Sequence, residues 1–181
     1  MPLTRGPWTV NQTSLRFKNE LIEVREDQIE RTGVYDGTFT VVRLKRGVSV
    51  LAIDEDESVY LTREYRYAIE QESVEAVSGA IDGIETEEEA ARRELKEELG
   101  IVANEWVSMG VVHPLTSQLH APAHLFIARG LHFENAQPEV SEMIEMVKMP
   151  MADVVQLVMA SKITHAPSCV LILKANAWLK H

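Results

Sequence analysis

Cysteine is nearly absent: Cys169 is the single one in 181 residues. One thiol excludes an intrachain disulfide and a cysteine-built zinc cage, and it fits a reducing cytoplasm. Basic residues are in deficit, with 18 Lys and Arg against 28 Asp and Glu and a formal charge of -10. Such a surface lacks the basic patches that supply most affinity for DNA or RNA, so nucleic acid is excluded as a general partner. A phosphorylated small molecule is not excluded, because bound cations reverse the local sign of a site. Long apolar runs are also missing. No stretch approaches the ~18 apolar residues of a membrane span, and MPLTRGPWTVNQTSLRF has no run of signal-peptide length. The chain reads as soluble, cytoplasmic and not membrane-associated. Its length favours one globular fold with a core that needs no disulfide.

What is present begins with strands. LIEVREDQIER, residues 21–31, alternates roughly between apolar and polar and predicts one strand or two. Tyr35-Asp36-Gly37 reads as a turn, since Asp and Gly tolerate the backbone angles a tight turn needs. TFTVVRLK is rich in β-branched residues, and GVSVLAI is the apolar run of a strand covered on both faces. The acidic Asp54-Glu55-Asp56-Glu57 reads as a solvated hairpin loop leading to VYLTREYRYA. There Arg66 is a candidate phosphate ligand, since a guanidinium fork matches phosphate oxygens, whereas Arg63 reads as paired with a surface acid.

Residues 79–101, GAIDGIETEEEAARRELKEELGI, carry the densest chemistry. Thr86 followed by Glu89 forms a capping box that starts a helix near Glu87. Ala90, Ala91, Leu95 and Leu99 give that helix an apolar contact stripe, and Gly100 ends it. Glu94, Glu97 and Glu98 fall at i, i+3 and i+4, so their carboxylates converge. Like charges so spaced weaken an isolated helix by a few tenths of a kcal/mol per pair. They are either a solvated acidic face or an all-oxygen ligand set for Mg²⁺ or Mn²⁺.

The full spacing resolves that choice. Gly79, five residues, Glu85, seven residues, Arg93-Glu94-Leu95, one residue, Glu97-Glu98, one residue and Gly100-Ile101 together resemble the Nudix box of the Nudix hydrolases, with every defined position filled. The resemblance implies an α/β fold, an α/β/α sandwich around a mixed sheet with the box as loop-helix-loop. It implies hydrolysis of a nucleoside diphosphate linked to another group, with Mg²⁺ or Mn²⁺ at the phosphates. By position, Glu94 and Glu98 are the principal metal ligands, with Glu97 alongside. Arg93 orients the box glutamates, Glu85 among them, and Gly79, Glu85 and Gly100 are structural.

The similarity extends to most of the chain. Glu64-Tyr65-Arg66 and Glu75-Ala76-Val77-Ser78-Gly79-Ala80 are similar to two segments of ADP-ribose pyrophosphatases and related nucleoside-diphosphate-sugar hydrolases. Val77 and Ala80 stand where that subgroup has Pro and a second Gly. Arg66 and Glu75 are then substrate-binding residues, and the Ser78 carbonyl is a metal ligand. The subgroup's general base falls on Glu142 or Glu139, within ENAQPEVSEMIEM. After Pro114, the segment Leu115-Thr116-Ser117-Gln118 departs from the subgroup pattern. The implied substrate is ADP-ribose, giving AMP and ribose 5-phosphate. GDP-mannose, a dinucleoside polyphosphate and a non-catalytic nucleotide-sugar-binding regulator remain alternatives. The subgroup also implies a homodimer through a β region over residues 1–45, preceding a Nudix domain over 46–181, with Trp8 or Phe17 offered to a base bound by the partner.

The remaining expectations are plainer. MIEMVKM predicts a strand and MADVVQLVMASK an amphipathic helix, and Pro167 suits the first turn of a last helix. Met143, Met146, Met149, Met151 and Met159 read as core filling. Cys169 reads as packing. His113, His120 and His124 are spaced too irregularly for a metal set and read as turn or satisfied polar residues.

Overall fold

The computed structural model describes residues 3–136 and 143–180. Their contacts divide into two compact units, residues 1–45 with 113–122, and residues 46–112 with 123–181.

The first unit is an antiparallel meander of β1 (Leu3–Arg5), β2 (Trp8–Lys18), β3 (Ile22–Arg31) and β4 (Tyr35–Leu44), to which Leu119–His120 (β10) adds in parallel beside β4. Residues 22–31 form one strand. The turn expected at Tyr35–Gly37 lies earlier, at Thr32-Gly33-Val34. Gly33 takes φ +71° there, and the Val34 N–H donates to the Arg31 carbonyl at 2.8 Å. Asp36 and Gly37 are drawn into the ladder opposite Glu30 and Ile29. Cross-strand pairing outweighs the local turn preference of Asp-Gly once a better-placed glycine supplies the reversal. Asp27, 3% exposed, is held by Arg5 Nη1 at 3.0 Å and Thr13 Oγ1 at 2.6 Å.

The second unit is a three-layer sandwich. Its mixed sheet contains β5 (Gly47–Ile53), β6 (Ser58–Arg66), β9 (Ile101–Val112), β11 (Ala123–Phe133) and β12 (Glu145–Pro150), in the order β12-β6-β5-β11-β9. β7 (Gln71–Glu75) pairs with β6, and β8 (Val77–Ala80) pairs with β5. The β5–β11 pair is parallel and its neighbours are antiparallel. Val48, Val50 and Ala52 of β5 join Phe126 and Ala128 of β11 in one core, against Ala90, Ala91, Leu95 and Leu99 of α1 (Glu87–Leu99). Leu51 and Ile53 join Leu125 and Ile127 in the other, against α2 (Met151–Met159) and α3 (Ala166–Trp178). Side chains alternate across a strand, so a strand with a helix on each face must be apolar throughout. GVSVLAI reads that way, and the α/β/α sandwich implied by the sequence is the observed architecture.

Pro167 lies in the first turn of α3. The methionines depart from expectation. Met151 is 4% exposed and Met149 packs beside the α2–α3 core, but Met143, Met146 and Met159 are exposed. Met146 lies next to Val147 on β12, so it takes the face opposite the one that Val147 and Met149 turn to the core, and Met159 is the last residue of α2.

Candidate active site

Helix α1 is delivered by local chemistry. Thr86 Oγ1 accepts from the Glu89 N–H at 3.2 Å, and a Glu89 carboxylate oxygen accepts from the Thr86 N–H at 2.7 Å. Three acids, Glu87, Glu88 and Glu89, occupy the first turn, where the helix dipole favours them. At the other end Gly100 takes φ +64°, and its N–H caps the Leu95 and Lys96 carbonyls. A Cβ on Gly100 would lie 2.4 Å from the Glu134 carbonyl oxygen, so only glycine fits.

Arg93 is the hub of this element. Its Nη2 and Nε reach the two Glu85 oxygens at 2.8 and 3.2 Å. Nη1 donates to Glu94 at 2.8 Å and to Glu97 at 3.0 Å, and Nη2 also donates to the Ala80 carbonyl at 2.9 Å. One guanidinium thus ties the loop before the helix, the end of β8 and two helix carboxylates together. Its fork geometry is what makes so many simultaneous contacts possible. These hydrogen bonds, those to Glu85 foremost, raise the pKa of Arg93 above its ordinary value. In turn Arg93, followed by the Asp82 N–H at 2.6 Å, holds the Glu85 carboxyl below its usual range.

Glycine 79 brings β8 onto the helix. A Cβ there would sit 2.0 Å from both Cδ and Oε1 of Glu94, so the missing side chain is the space the Glu94 carboxylate occupies. Ser78, one residue earlier, lies opposite Ser49 of β5, with the two hydroxyl oxygens 2.8 Å apart. Glu98 is buried at 9% exposure, whereas the Glu97 side chain is 45% exposed. Ser78, Glu94, Glu97 and Glu98 offer oxygen atoms alone, the donor chemistry of a hard divalent cation. Among the described residues no three His, Cys, Asp or Glu side chains are already gathered as a ligand set. Arg93 holds two of the carboxylates in the meantime.

A second polar cluster joins three elements. Arg66, at the end of β6, donates to both oxygens of Glu75 on β7, from Nη2 at 2.9 Å and Nε at 3.3 Å. Its Nη1 meets Glu64 at 2.6 Å, and Glu98 of α1 contributes to its electrostatic environment. Burial pushes the Glu75 carboxyl up, but Arg66, His165 and Ser73 more than offset this and its pKa falls below the ordinary value. From α3, His165 Nδ1 lies 3.4 Å from Glu75 Oε2 and 2.8 Å from Ser168 Oγ. Ser168, fully buried, accepts from the Ala76 N–H at 2.9 Å. Sequence reasoning missed His165 and Ser168. The signal was there: a histidine and a serine three apart around Pro167, at the start of a helix, where such side chains meet backbone.

The other candidates fall outside this cluster. Glu139 and Glu142 lie outside the described residues. Arg63 pairs with Glu145 at 3.1 Å. Asp54 of the acidic loop accepts from Lys148 Nζ at 2.7 Å and Tyr60 OH at 2.9 Å. Cys169, half-buried, donates to the Ile163 carbonyl, and burial pushes its thiol pKa up. His113 and His120 approach to 6.4 Å between ring centroids, and His124 lies 4.0 Å from Glu87. Trp8 packs edge-on against Tyr35, and Phe17 is exposed.

Comparison with known proteins adds context. A crystal structure of an ADP compounds hydrolase superposes with a TM-score of 0.85 at 23% identity, covering 98% of this chain and 97% of that one. In sequence, the chain is 28% identical over 125 residues to the ADP compounds hydrolase NudE of Escherichia coli, covering 69% of this chain and 67% of that protein. It is 22% identical over 152 residues to an ADP-ribose pyrophosphatase of Bacillus subtilis, covering 83% and 82%. It is 24% identical over 177 residues to a methanol dehydrogenase activator of Bacillus methanolicus, covering 94% of each. The NUDIX domain family model matches residues 43–167, a span that holds the filled box, both flanking strands and the mixed sheet that carries them. The chain therefore belongs to the NUDIX domain family and is a Nudix hydrolase.

Proposed function

We propose that the chain hydrolyses the diphosphate linkage of a nucleoside diphosphate sugar, with ADP-ribose as the first substrate and AMP and ribose 5-phosphate as products. The observation that carries this reading is the short run of chain from Glu75, which holds Arg66, to Gly79, against which the box carboxylate Glu94 packs. Glu98 is buried on α1 and shares an electrostatic environment with Arg66. An acidic site for cations therefore adjoins a guanidinium suited to phosphate. The relatives that act on ADP compounds and ADP-ribose support the same direction.

Nudix hydrolases generally need a divalent metal. In this reading Glu94, Glu97, Glu98 and the Ser78 carbonyl hold Mg²⁺, with Mn²⁺ as a substitute. A divalent metal held by these residues would supply charge neutralisation for the diphosphate and a lower pKa for bound water. Arg93 keeps Glu94 and Glu97 oriented through its two Nη1 contacts, and Glu85 anchors Arg93. Gly79 gives Glu94 its place, and Gly100 fixes the far end of the helix. Arg66 binds a phosphate through N–H groups beyond those given to Glu64 and Glu75, and Glu75 holds the guanidinium in place. Glu142 or Glu139 acts as general base, ionised at neutral pH. The protein works in the cytoplasm as a homodimer, with residues 1–45 at the interface and 46–181 as the catalytic domain.

A panel of nucleoside diphosphate derivatives, including ADP-ribose, GDP-mannose and a dinucleoside polyphosphate, tests the reading with Mg²⁺ and Mn²⁺ and chromatography of the products. Glu98→Gln should lower turnover on the best substrate by about two orders of magnitude or more with the fold intact, as loss of a principal catalytic ligand does. Full activity in Glu98→Gln would remove the metal assignment. The activator relative, aligned over 94% of this chain, favours a second reading in which the chain stimulates a dehydrogenase. No hydrolysis of any panel member, together with a faster methanol dehydrogenase on adding the chain, would select that reading.

A further inference from the structure

The Arg66–Glu75 pair is held from a third side by a helix that the box does not include. His165 and Ser168 stand at the start of α3, about ninety residues from β7, yet they touch Glu75 and Ala76 directly. Ser168 Oγ takes the Ala76 N–H at 2.9 Å in a fully buried position. His165 Nδ1 lies between Ser168 Oγ at 2.8 Å and Glu75 Oε2 at 3.4 Å. The hydrogen bond of Nδ1 is the one with Ser168 Oγ, and it seats the ring with the same nitrogen beside Glu75 Oε2. Glu75 Oε2 is also the oxygen that takes the Arg66 Nη2 hydrogen bond at 2.9 Å. One oxygen therefore sits between a guanidinium from β6 and an imidazole from α3. Glu75 is 5% exposed, so water has little access to replace either neighbour.

We infer that His165, seated by Ser168, is a positioning residue for the substrate subsite: it fixes the rotamer of Glu75, and through Glu75 the direction in which Arg66 presents its remaining N–H groups. The inference rests on the reading above, in which Arg66 binds a substrate phosphate and Glu75 holds its guanidinium in place. His165 itself touches neither substrate nor metal. Without the seated imidazole, Glu75 has one fewer polar neighbour beside Oε2, and Arg66 follows a carboxylate of less defined orientation. The consequence falls on substrate binding and leaves the chemical step at the box unchanged.

The test compares His165→Leu, which keeps bulk without a donor, with His165→Asn, whose amide places an N–H near the Nδ1 position. In His165→Leu, KM for the best nucleoside diphosphate sugar should rise about fivefold or more, the equivalent of one lost hydrogen bond. Its kcat should stay within about twofold, because uniform binding alone is lost. His165→Asn should restore KM to within about twofold of the parent chain, as a donor at the same place returns the lost bond. An unchanged KM in His165→Leu, a fall in kcat alone, or an Asn variant as impaired as Leu would each overturn the inference. If Leu prevents folding, Gln takes its place, since its longer amide misses the Nδ1 position.

A second readout needs no turnover. The Arg66 Nε–H resonance, assigned through an Arg66→Lys control, should be sharp and protected in the parent chain and in His165→Asn, and broadened or shifted in His165→Leu. An identical resonance in all three overturns the positioning role. Absence of hydrolysis by the parent chain removes the substrate reading, while this resonance still decides whether His165 holds the pair.

Discussion

Replacing Gly79 with Ala isolates one distance. The φ of Gly79 lies outside the left-handed region, so Ala can adopt its backbone without strain. The added Cβ would lie 2.0 Å from Cδ and Oε1 of Glu94 and 2.4 Å from Oε2, against the 3.4 Å at which ordinary contact begins. The Glu94 carboxylate must therefore retreat by about 1.4 Å, the difference between the two. It is the end of a flexible side chain, so it can move. An off-rotamer torsion costs about 0.5–1.5 kcal/mol, and a weakened Arg93 bond costs about as much. The lower entropy of the unfolded Ala chain returns about 0.4–1 kcal/mol. Net destabilisation should be about 1 kcal/mol, which lowers Tm by about 2–4 °C in a chain of this size. Turnover should suffer far more, because a displacement of about 1 Å at a catalytic group costs roughly 10²-fold. Thermal melting and steady-state kinetics with Mg²⁺ on the best panel substrate read the two effects separately. Near-parental turnover in Gly79→Ala would show that the placement of Glu94 beneath Gly79 is irrelevant to catalysis. A collapse of stability would show that the glycine serves the backbone instead.

Three further outcomes follow from the same geometry. Thr86→Ala removes one half of the capping box and should cost about 1 kcal/mol, with turnover within about twofold of the parent, because only the first turn of α1 loses a partner. An unchanged melting temperature would deny the cap its role. Gly100→Ala should cost roughly 3 kcal/mol, since a left-handed Ala is strained and its Cβ meets backbone, the Glu134 oxygen at 2.4 Å and the Ala136 nitrogen at 2.8 Å, that cannot yield cheaply; a melting curve like the parent's would refute this. Stability should also fall with acid. Burial pushes the His165 pKa below 6.5, so the unfolded chain takes up a proton that the folded chain refuses. Its contribution is complete above about pH 6.5 and fades as pH falls through the folded pKa. Glu75, depressed below 4.5 in the fold, adds a second loss at lower pH. The groups facing His165 are Glu75 and Arg66. Urea midpoints should decline between pH 7 and 5 in the parent chain and less in His165→Asn; equal slopes would refute the assignment to His165.

The box helix was legible because its instructions are local. Thr86 and Glu89 are three residues apart, Gly100 follows the last turn, and the apolar positions recur at helical spacing. Strand β5 was legible for a similar reason, since a run apolar at every position admits few environments. Turn chemistry was less reliable. Asp36-Gly37 carries the stronger pair of turn residues, but the ladder with β3 takes both and leaves the reversal to Gly33. The methionines misled because residue type says nothing about which face of a strand, or which end of a helix, a side chain takes.

The sequence by itself determined the family, the box and its caps, because residue type at fixed short spacing carries that information along the chain. The tertiary structure alone decided that Glu94 occupies the space Gly79 leaves, that Arg93 ties β8 to the helix, and that His165 and Ser168 of α3 meet Glu75 and Ala76. Those contacts join residues from 13 to 92 positions apart. No local preference specifies such distances; the packing of two helical layers on one sheet does.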